Sequence, residues 1–326
     1  MQVTLKVQRY NPESHTGSLY QTYQVNVEHY ETVLDALIRI REEQDGTLAL
    51  RCSCRSAICG SCAMRINKTS RLACKTKIVK AVTEGEVILV EPAGNMPVIK
   101  DLVVDMKPFW DKVRAVEPWL QPAGPPPERE YIAPNDAMLH LAEVMNCIMC
   151  GACVSACTVL EAELKAGKPM ESTFLGPAAL AKAYRFAADP RDAAGQHRLR
   201  ALSTATGVWD CTHCFYCIEA CPKGVAPMDR IVALREKAMA AGFTNNPGAR
   251  HSEAFAESVE HSGWLNEFTL LQKSIGWNLR EFLKMIPGGL RMALRGKTPS
   301  PFHRPIPGVK QIKRIFQHLD SSKKNR

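Results

Sequence analysis

Polar and apolar residues alternate along residues 2–27. Val3, Leu5 and Val7 share one face, and Tyr20, Tyr23, Val25 and Val27 follow a polar, glycine-containing turn at 11–17. A period of two predicts the strands of a β-hairpin. The period then lengthens, with Val33, Leu34, Leu37 and Ile40 at helical spacing over 32–43, Thr32 placed to cap the N-terminus and Gly46 beyond the end. After a loop at 51–62, short runs at 63–66, 72–75 and 86–90 predict further strands, the last stopped by Pro92. From there helical spacing takes over. Leu139, Leu141 and Val144 mark a helix at 137–145, and Leu175, Leu180, Tyr184 and Phe186 recur among alanines at 172–189. A helix at 229–241 begins near Pro227 and ends at Gly242, while the proline-rich 122–127 is an extended connection. Near the C-terminus, Leu270, Leu271, Ile275, Leu279, Phe282, Leu283 and Ile286 predict an amphipathic helix at 266–286, ended by Pro287, Gly288 and Gly289. A second, at 309–319, sets Ile312, Ile315, Phe316 and Leu319 against Lys310, Lys313 and Arg314. The pattern predicts an α+β chain: a small ubiquitin-like β-grasp over 1–105, an all-α domain over 106–243 and a basic helical extension over 244–326.

Composition adds limits. A chain of 326 residues has room for two or three domains, and 45% apolar content is ordinary for a soluble globular protein. The formal charge of +9 leans on the C-terminal tail, where Asp320 is the only acid after Glu281. No RNA-binding aromatic motif or recognition-helix pattern accompanies it, so nucleic acid is not the expected partner. A basic amphipathic tail fits anionic lipid, a partner subunit or its own domain alike. No run of about 18 apolar residues predicts a membrane span. Residues 1–28 carry no basic-then-apolar leader, so the 13 cysteines are expected in a reducing compartment, as metal ligands and not as disulfides.

The cysteine spacing carries the chemistry. Cys147, Cys150, Cys153 and Cys157 stand at C-x2-C-x2-C-x3-C, and Cys211, Cys214, Cys217 and Cys221 repeat it before Pro222. In this ferredoxin spacing three thiolates hold one cubane and the fourth reaches to the other. The expected [4Fe–4S] sets are therefore crossed: Cys147, Cys150, Cys153 with Cys221, and Cys211, Cys214, Cys217 with Cys157. Structural zinc takes four ligands per ion, usually as two separated pairs, and fits four cysteines within a dozen residues poorly. Upstream, Cys54, Cys59 and Cys62 at C-x4-C-x2-C, with Cys74 following, match the plant-type arrangement for a [2Fe–2S] centre. Cys52 falls outside that spacing and reads as a small loop residue.

These motifs, taken in order, resemble the iron–sulfur subunit of succinate dehydrogenase and fumarate reductase. The resemblance rests on Cys54-Arg-Ser-Ala-Ile-Cys59-Gly-Ser-Cys62, on Leu72-Ala-Cys74-Lys, on the segment from Ile99 to Met106, on that from Gly176 to Phe186, and on Cys221-Pro-Lys-Gly224. It covers about the first three quarters of the chain. It implies a plant-type ferredoxin domain followed by a bacterial-type two-cluster domain. It further implies an electron wire, in which an FAD-containing flavoprotein interconverts succinate and fumarate, this subunit relays single electrons through three clusters, and a quinone at a membrane anchor lies beyond. No catalytic side chain is then expected here, and the chain would sit peripherally on the cytoplasmic face of the inner membrane.

Two departures from the family pattern matter. Better-known members carry a non-cysteine residue where Cys214 stands and hold [3Fe–4S] as the third centre; Cys214 supplies a fourth thiolate and implies [4Fe–4S], as in the branch with cysteine-rich, non-haem anchors. The family's common quinone site uses a Pro and a Trp after the fourth cysteine of the middle motif and a His after the first of the last. Here those places read Thr158-Val159-Leu160-Glu161 and Thr212, with histidine shifted to His213. Quinone is therefore expected as a distant donor or acceptor. The rival readings are a stand-alone ferredoxin-like carrier and the corresponding subunit of a thiol-linked fumarate or heterodisulfide-type reductase.

Overall fold

A computed structural model describes every residue except 15, 16, 205, 277, 278, 299, 301–303, 325 and 326, and the side chains of all but 281, 320 and 322–324 of the remainder. The chain divides into two compact units, Met1–Lys237 and Ala238–Arg326.

The first unit opens with a mixed five-stranded sheet ordered β2-β1-β5-β3-β4. Strands β1 (Gln2–Arg9) and β2 (Leu19–Asn26) form the predicted antiparallel hairpin, in register from Gln2 opposite Asn26 to Arg9 opposite Leu19. Alternation buries Val3, Leu5 and Val7 together with Tyr23 and Val25. Across that face lies α1 (Val33–Glu43), whose start is a capping box: Thr32 Oγ1 accepts the Asp35 N–H while the Asp35 carboxylate accepts the Thr32 N–H.

Next come β3 (Ala63–Ile66), β4 (Thr69–Leu72), α2 (Ile78–Thr83) and β5 (Val87–Glu91), the last pairing parallel to β1. The strand expected at 72–75 is displaced. Asn67 and Lys68 both adopt positive φ, which makes the tight two-residue turn that returns the chain at once. β4 therefore occupies 69–72, and Ala73–Lys75, bearing Cys74, is a single 3-10 turn. A short ribbon, β6 (Val98–Lys100) with β7 (Val103–Val104), leads out of the sheet. It is pinned by buried Asp101, whose carboxylate accepts from Arg9 Nε at 3.0 Å, the Tyr10 N–H at 3.0 Å and the Ala49 N–H at 2.8 Å.

The rest of this unit is helical: α3 (Lys107–Ala115), α4 (Asn135–Met145), α5 (Ala152–Ser155), α6 (Thr158–Lys165), α7 (Pro177–Ala187), α8 (Gly195–Leu202), α9 (Tyr216–Glu219) and α10 (Pro227–Ala240). Helix α7 is its hub. Ala178, Ala179, Ala181 and Ala183 are buried, and such small side chains let α3, α4, α5 and α8 approach closely. The predicted helix at 172–189 is shortened, because Gly176 takes φ +87 and Pro177 then starts the helix at its first turn. In α4, Leu141 and Val144 are buried, whereas Leu139 points outward at 72% exposure.

In the second unit, α11 (Pro247–Ser262) packs on α12 (Glu267–Ile275) and on α14 (Val309–Lys324). The helix predicted over 266–286 is instead two. Gly276 at φ +66 ends α12, and α13 (Leu279–Leu294) continues through Pro287; Trp277 and Asn278, inside the predicted helix, lie outside the described residues. A proline on an exposed helix forfeits one N–H bond, and water can take the freed carbonyl, so the helix need not stop there.

Candidate functional site

The loop over 51–62 is built from left-handed residues. Arg55 (φ 53), Ala57 (φ 55) and Gly60 (φ 75) turn successive N–H groups inward, the arrangement that makes an anion-holding concavity. Cys54 Sγ accepts the N–H groups of Ser56, Ile58 and Cys59, each at 3.3 Å, and Cys74 Sγ accepts that of Ala57 at 3.3 Å. Ser61 Oγ donates to Cys59 Sγ at 3.3 Å and, with the surrounding N–H groups, pulls that thiol down to about 6. Cys62 is buried, which pushes its thiol up to about 12, the next influence being neighbouring Cys74. The loop therefore joins Cys54, Cys59, Cys62 and Cys74 at the sheet's edge. Cys52 packs against the sheet's hydrophobic core.

Cys147, Cys150, Cys153 and Cys221 line one small cavity, walled by Ala178 and Ala181 of α7 and by Pro222 and Val225. These are the four residues that the crossed pairing puts together. Met149 and Gly151 take positive φ, and the Val225 N–H donates to Cys221 Sγ at 3.4 Å. Burial pushes the Cys153 thiol well up, and Cys150, Cys147, Cys217 and Cys221 push in the same direction, in that order.

The other four also converge. Burial pushes Cys217 up to about 12, aided by Cys211, Cys157 and Cys214. Cys157, at the start of α6, is pushed up to about 11 by burial, against the pull of the Leu160 and Val159 N–H groups. Cys214 is the exposed member. Burial opposes its ionisation, but the Thr158 hydroxyl, donating at 3.4 Å, and nearby N–H groups outweigh it and draw the thiol down. His213 and Phe215, on either side, take positive φ.

Among the described residues no three Cys, His, Asp or Glu side chains are arranged around one metal ion. Four thiols lining one cavity, with N–H groups aimed at sulfur, fit an iron–sulfur cluster.

The three stations adjoin. A Cβ built on Gly60 would stand 2.6 Å from Cys150 Cβ, so the first loop rests directly on the second. The turn at 154–157 is bolted to the sheet by Ser70 Oγ and Ser155 Oγ at 2.6 Å, Arg65 Nη2 to Ser155 O at 2.8 Å, and Asn95 Nδ2 to Val154 O and Cys157 O at 2.8 and 2.9 Å. Lys75 Nζ reaches Pro222 O at 3.1 Å, tying the Cys74 turn to the Cys221 loop.

Sequence reading missed Arg235 on α10. Its half-buried guanidinium donates to Val208 O at 2.8 Å, Trp209 O at 3.0 Å and Cys211 O at 2.7 Å, and lies 2.8 Å from His213 Nε2. Burial and then Arg235 push His213 below its usual value, so the neutral ring accepts through Nε2. Trp209 stacks under the guanidinium, its buried indole N–H without an acceptor among the described residues. One basic residue in an amphipathic helix gives no sequence signal for this role.

Three thiols on a sheet-edge loop with a fourth on the neighbouring 3-10 turn, and two crossed sets of four among helices, define a multi-cluster iron–sulfur protein. Residues 4–111 match the 2Fe-2S iron-sulfur cluster binding domain, and residues 143–225 the 4Fe-4S dicluster domain. The fumarate reductase iron-sulfur subunit of Mycobacterium tuberculosis is 38% identical over 231 residues, 70% of this chain and 90% of that one. The 8-methylmenaquinol:fumarate reductase iron-sulfur subunit of Wolinella succinogenes is 33% identical over 269 residues, 81% of this chain and 82% of that one. Among solved structures, the Mycobacterium smegmatis Sdh1 complex in the apo form contains a chain that superposes with a TM-score of 0.64 at 27% identity, covering 75% of this chain and 98% of that one. The chain belongs to the family of iron–sulfur subunits of fumarate reductase and succinate dehydrogenase.

Proposed function

We propose that this chain relays single electrons between the FAD of a flavoprotein partner and a membrane quinone through one [2Fe–2S] and two [4Fe–4S] clusters. Cys54, Cys59, Cys62 and Cys74 hold the first, Cys147, Cys150, Cys153 and Cys221 the second, and Cys157, Cys211, Cys214 and Cys217 the third. The division runs as a plant-type ferredoxin β-grasp over 1–105, a bacterial-type two-cluster domain over 106–243 and the extension over 244–326. When bound, the clusters supply one-electron carriage between a two-electron flavin and the quinone. The chain's own work is positional. Its left-handed loops aim N–H groups at thiolate sulfur, which favours the extra negative charge of a reduced centre. Its walls bury Cys217 and half-bury Cys153. No side chain here acts as acid, base or nucleophile. Membrane attachment is peripheral, on the cytoplasmic face and through anchor subunits; among the described residues no helix is long and apolar enough to cross a membrane.

The observation that carries this reading is the close approach of the first loop, through Gly60, to Cys150, and the packing of α5, which bears Cys153, on α9, which bears Cys217. The test is iron and sulfide analysis of anaerobically isolated chain with EPR of its reduced and oxidised forms. About ten irons per chain are expected from two, four and four. Zinc in place of iron, or far too little iron for three centres, would refute it.

A further inference from the structure

Helix α13 is amphipathic, and its apolar face is exposed among the described residues. At 3.6 residues per turn, Leu279, Phe282, Leu283, Ile286, Leu290 and Leu294 fall on one stripe, and each is about half exposed or more, up to 80% at Leu294. Arg280, Lys284 and Arg291 fall together along one border of that stripe, and Arg295 follows just past the helix end. Glu281 is the only acid on the helix, and only Asp320 follows it. Helix α14 repeats the theme, exposing Ile315 and Leu319 and carrying Lys310, Lys313 and Arg314.

We propose that α13 lies in the surface of an anionic bilayer, its leucine-rich stripe among the acyl chains and its arginines at the headgroups. This is independent of the cluster assignment. Charge complementarity favours lipid: the basic border carries one sign along the whole helix and matches a uniformly negative surface. The stripe is equally continuous, so it buries in a flat apolar layer without needing a groove shaped to receive it. Sixteen residues make about 24 Å of helix at 1.5 Å per residue, long enough to lie along the interface.

The test is co-sedimentation of the full chain with vesicles of phosphatidylcholine alone or with about a third phosphatidylglycerol. Binding to the anionic vesicles only, weakening as salt rises, is expected. The triple variant Arg280→Gln, Arg291→Gln, Arg295→Gln should weaken it about a hundredfold, at about fivefold per basic residue. Leu283→Ser with Leu290→Ser should weaken it about tenfold per side chain. Ile286→Trp keeps the face apolar and should add a blue-shifted emission with anionic vesicles alone, while iron content reports that each variant folds. Equal binding to neutral vesicles, an unaffected triple variant, or no vesicle binding by the parent chain would each overturn the proposal. So would loss of a co-purifying subunit from these variants without loss of vesicle binding, which would assign the face to a protein.

Discussion

Gly60→Ala tests the junction between the first two stations. A Cβ at this position would stand 2.6 Å from Cys150 Cβ and 2.9 Å from Cys150 Cα. Carbon atoms prefer about 3.5–4.0 Å, so the two loops must part by about 1 Å. The obstacle includes backbone and has no flexible end to swing aside. Overpacking of this kind costs about 1–3 kcal/mol. A left-handed φ of +75 at a residue that now bears a Cβ adds about 1–2 kcal/mol. Gly60→Ala should therefore destabilise the protein by about 2–5 kcal/mol and slow electron equilibration between the first two clusters. Anaerobic urea titration followed by cluster absorbance reads the first effect, and rapid-mixing reduction reads the second. Ala57→Gly is the control. Ala57 already tolerates φ 55, and removing its Cβ should leave stability unchanged or raise it by up to about 1 kcal/mol. Should Gly60→Ala unfold at the parent's urea concentration with an unchanged transfer rate, the loops are not in contact and the relay geometry fails.

Further outcomes are expected. Cys214→Ser should convert the third centre to one giving a three-iron EPR signal in the oxidised protein; no change in cluster type would remove Cys214 from the ligand set. Arg235→Gln should lower the midpoint potential of the third cluster in an EPR redox titration, because a half-buried cation beside the Cys211 carbonyl stabilises the more negative reduced state; Arg235→Lys should restore part of the shift, and equal potentials in all three proteins would refute the role. Lys112 donates to Phe174 O at 2.7 Å and to the Thr173 hydroxyl, and burial pushes its ammonium down to about 8, with Glu163 and Cys157 pulling the other way. Between about pH 8 and 10.4 the unfolded chain binds more protons at this lysine, so stability at this site should rise with pH across that window. Urea midpoints measured through it should lose this component in Lys112→Met, and an identical slope in the variant would contradict the assignment.

Much of the fold was legible because its signals are local. A period of two marked β1 and β2, and Thr32 announced the start of α1. Legibility failed where a backbone turn or a distant neighbour decided the outcome. The strand expected at 72–75 moved because Asn67 and Lys68 close a turn tighter than their residue types advertise. The helix expected at 172–189 lost its first turns to Gly176, and the one at 266–286 was divided by Gly276. Leu139 fits the apolar spacing of α4, yet its side chain stays exposed, because burial depends on what packs against that flank of the helix.

The cysteine spacing by itself pointed to the chemistry of this protein, since thiolates wrapping a cluster must lie a few residues apart and so leave their mark in consecutive sequence, and with the segments around it that spacing marked the family. Tertiary structure decided how the stations adjoin. Gly60 against Cys150, Ser70 against Ser155 and Arg235 beneath the Cys211 loop join residues far apart along the chain, and no period or spacing records a contact made only after sheet and helices have packed together. It also decided that α13 would keep its apolar stripe uncovered, because burial depends on what folds against a helix as well as on the pattern it carries.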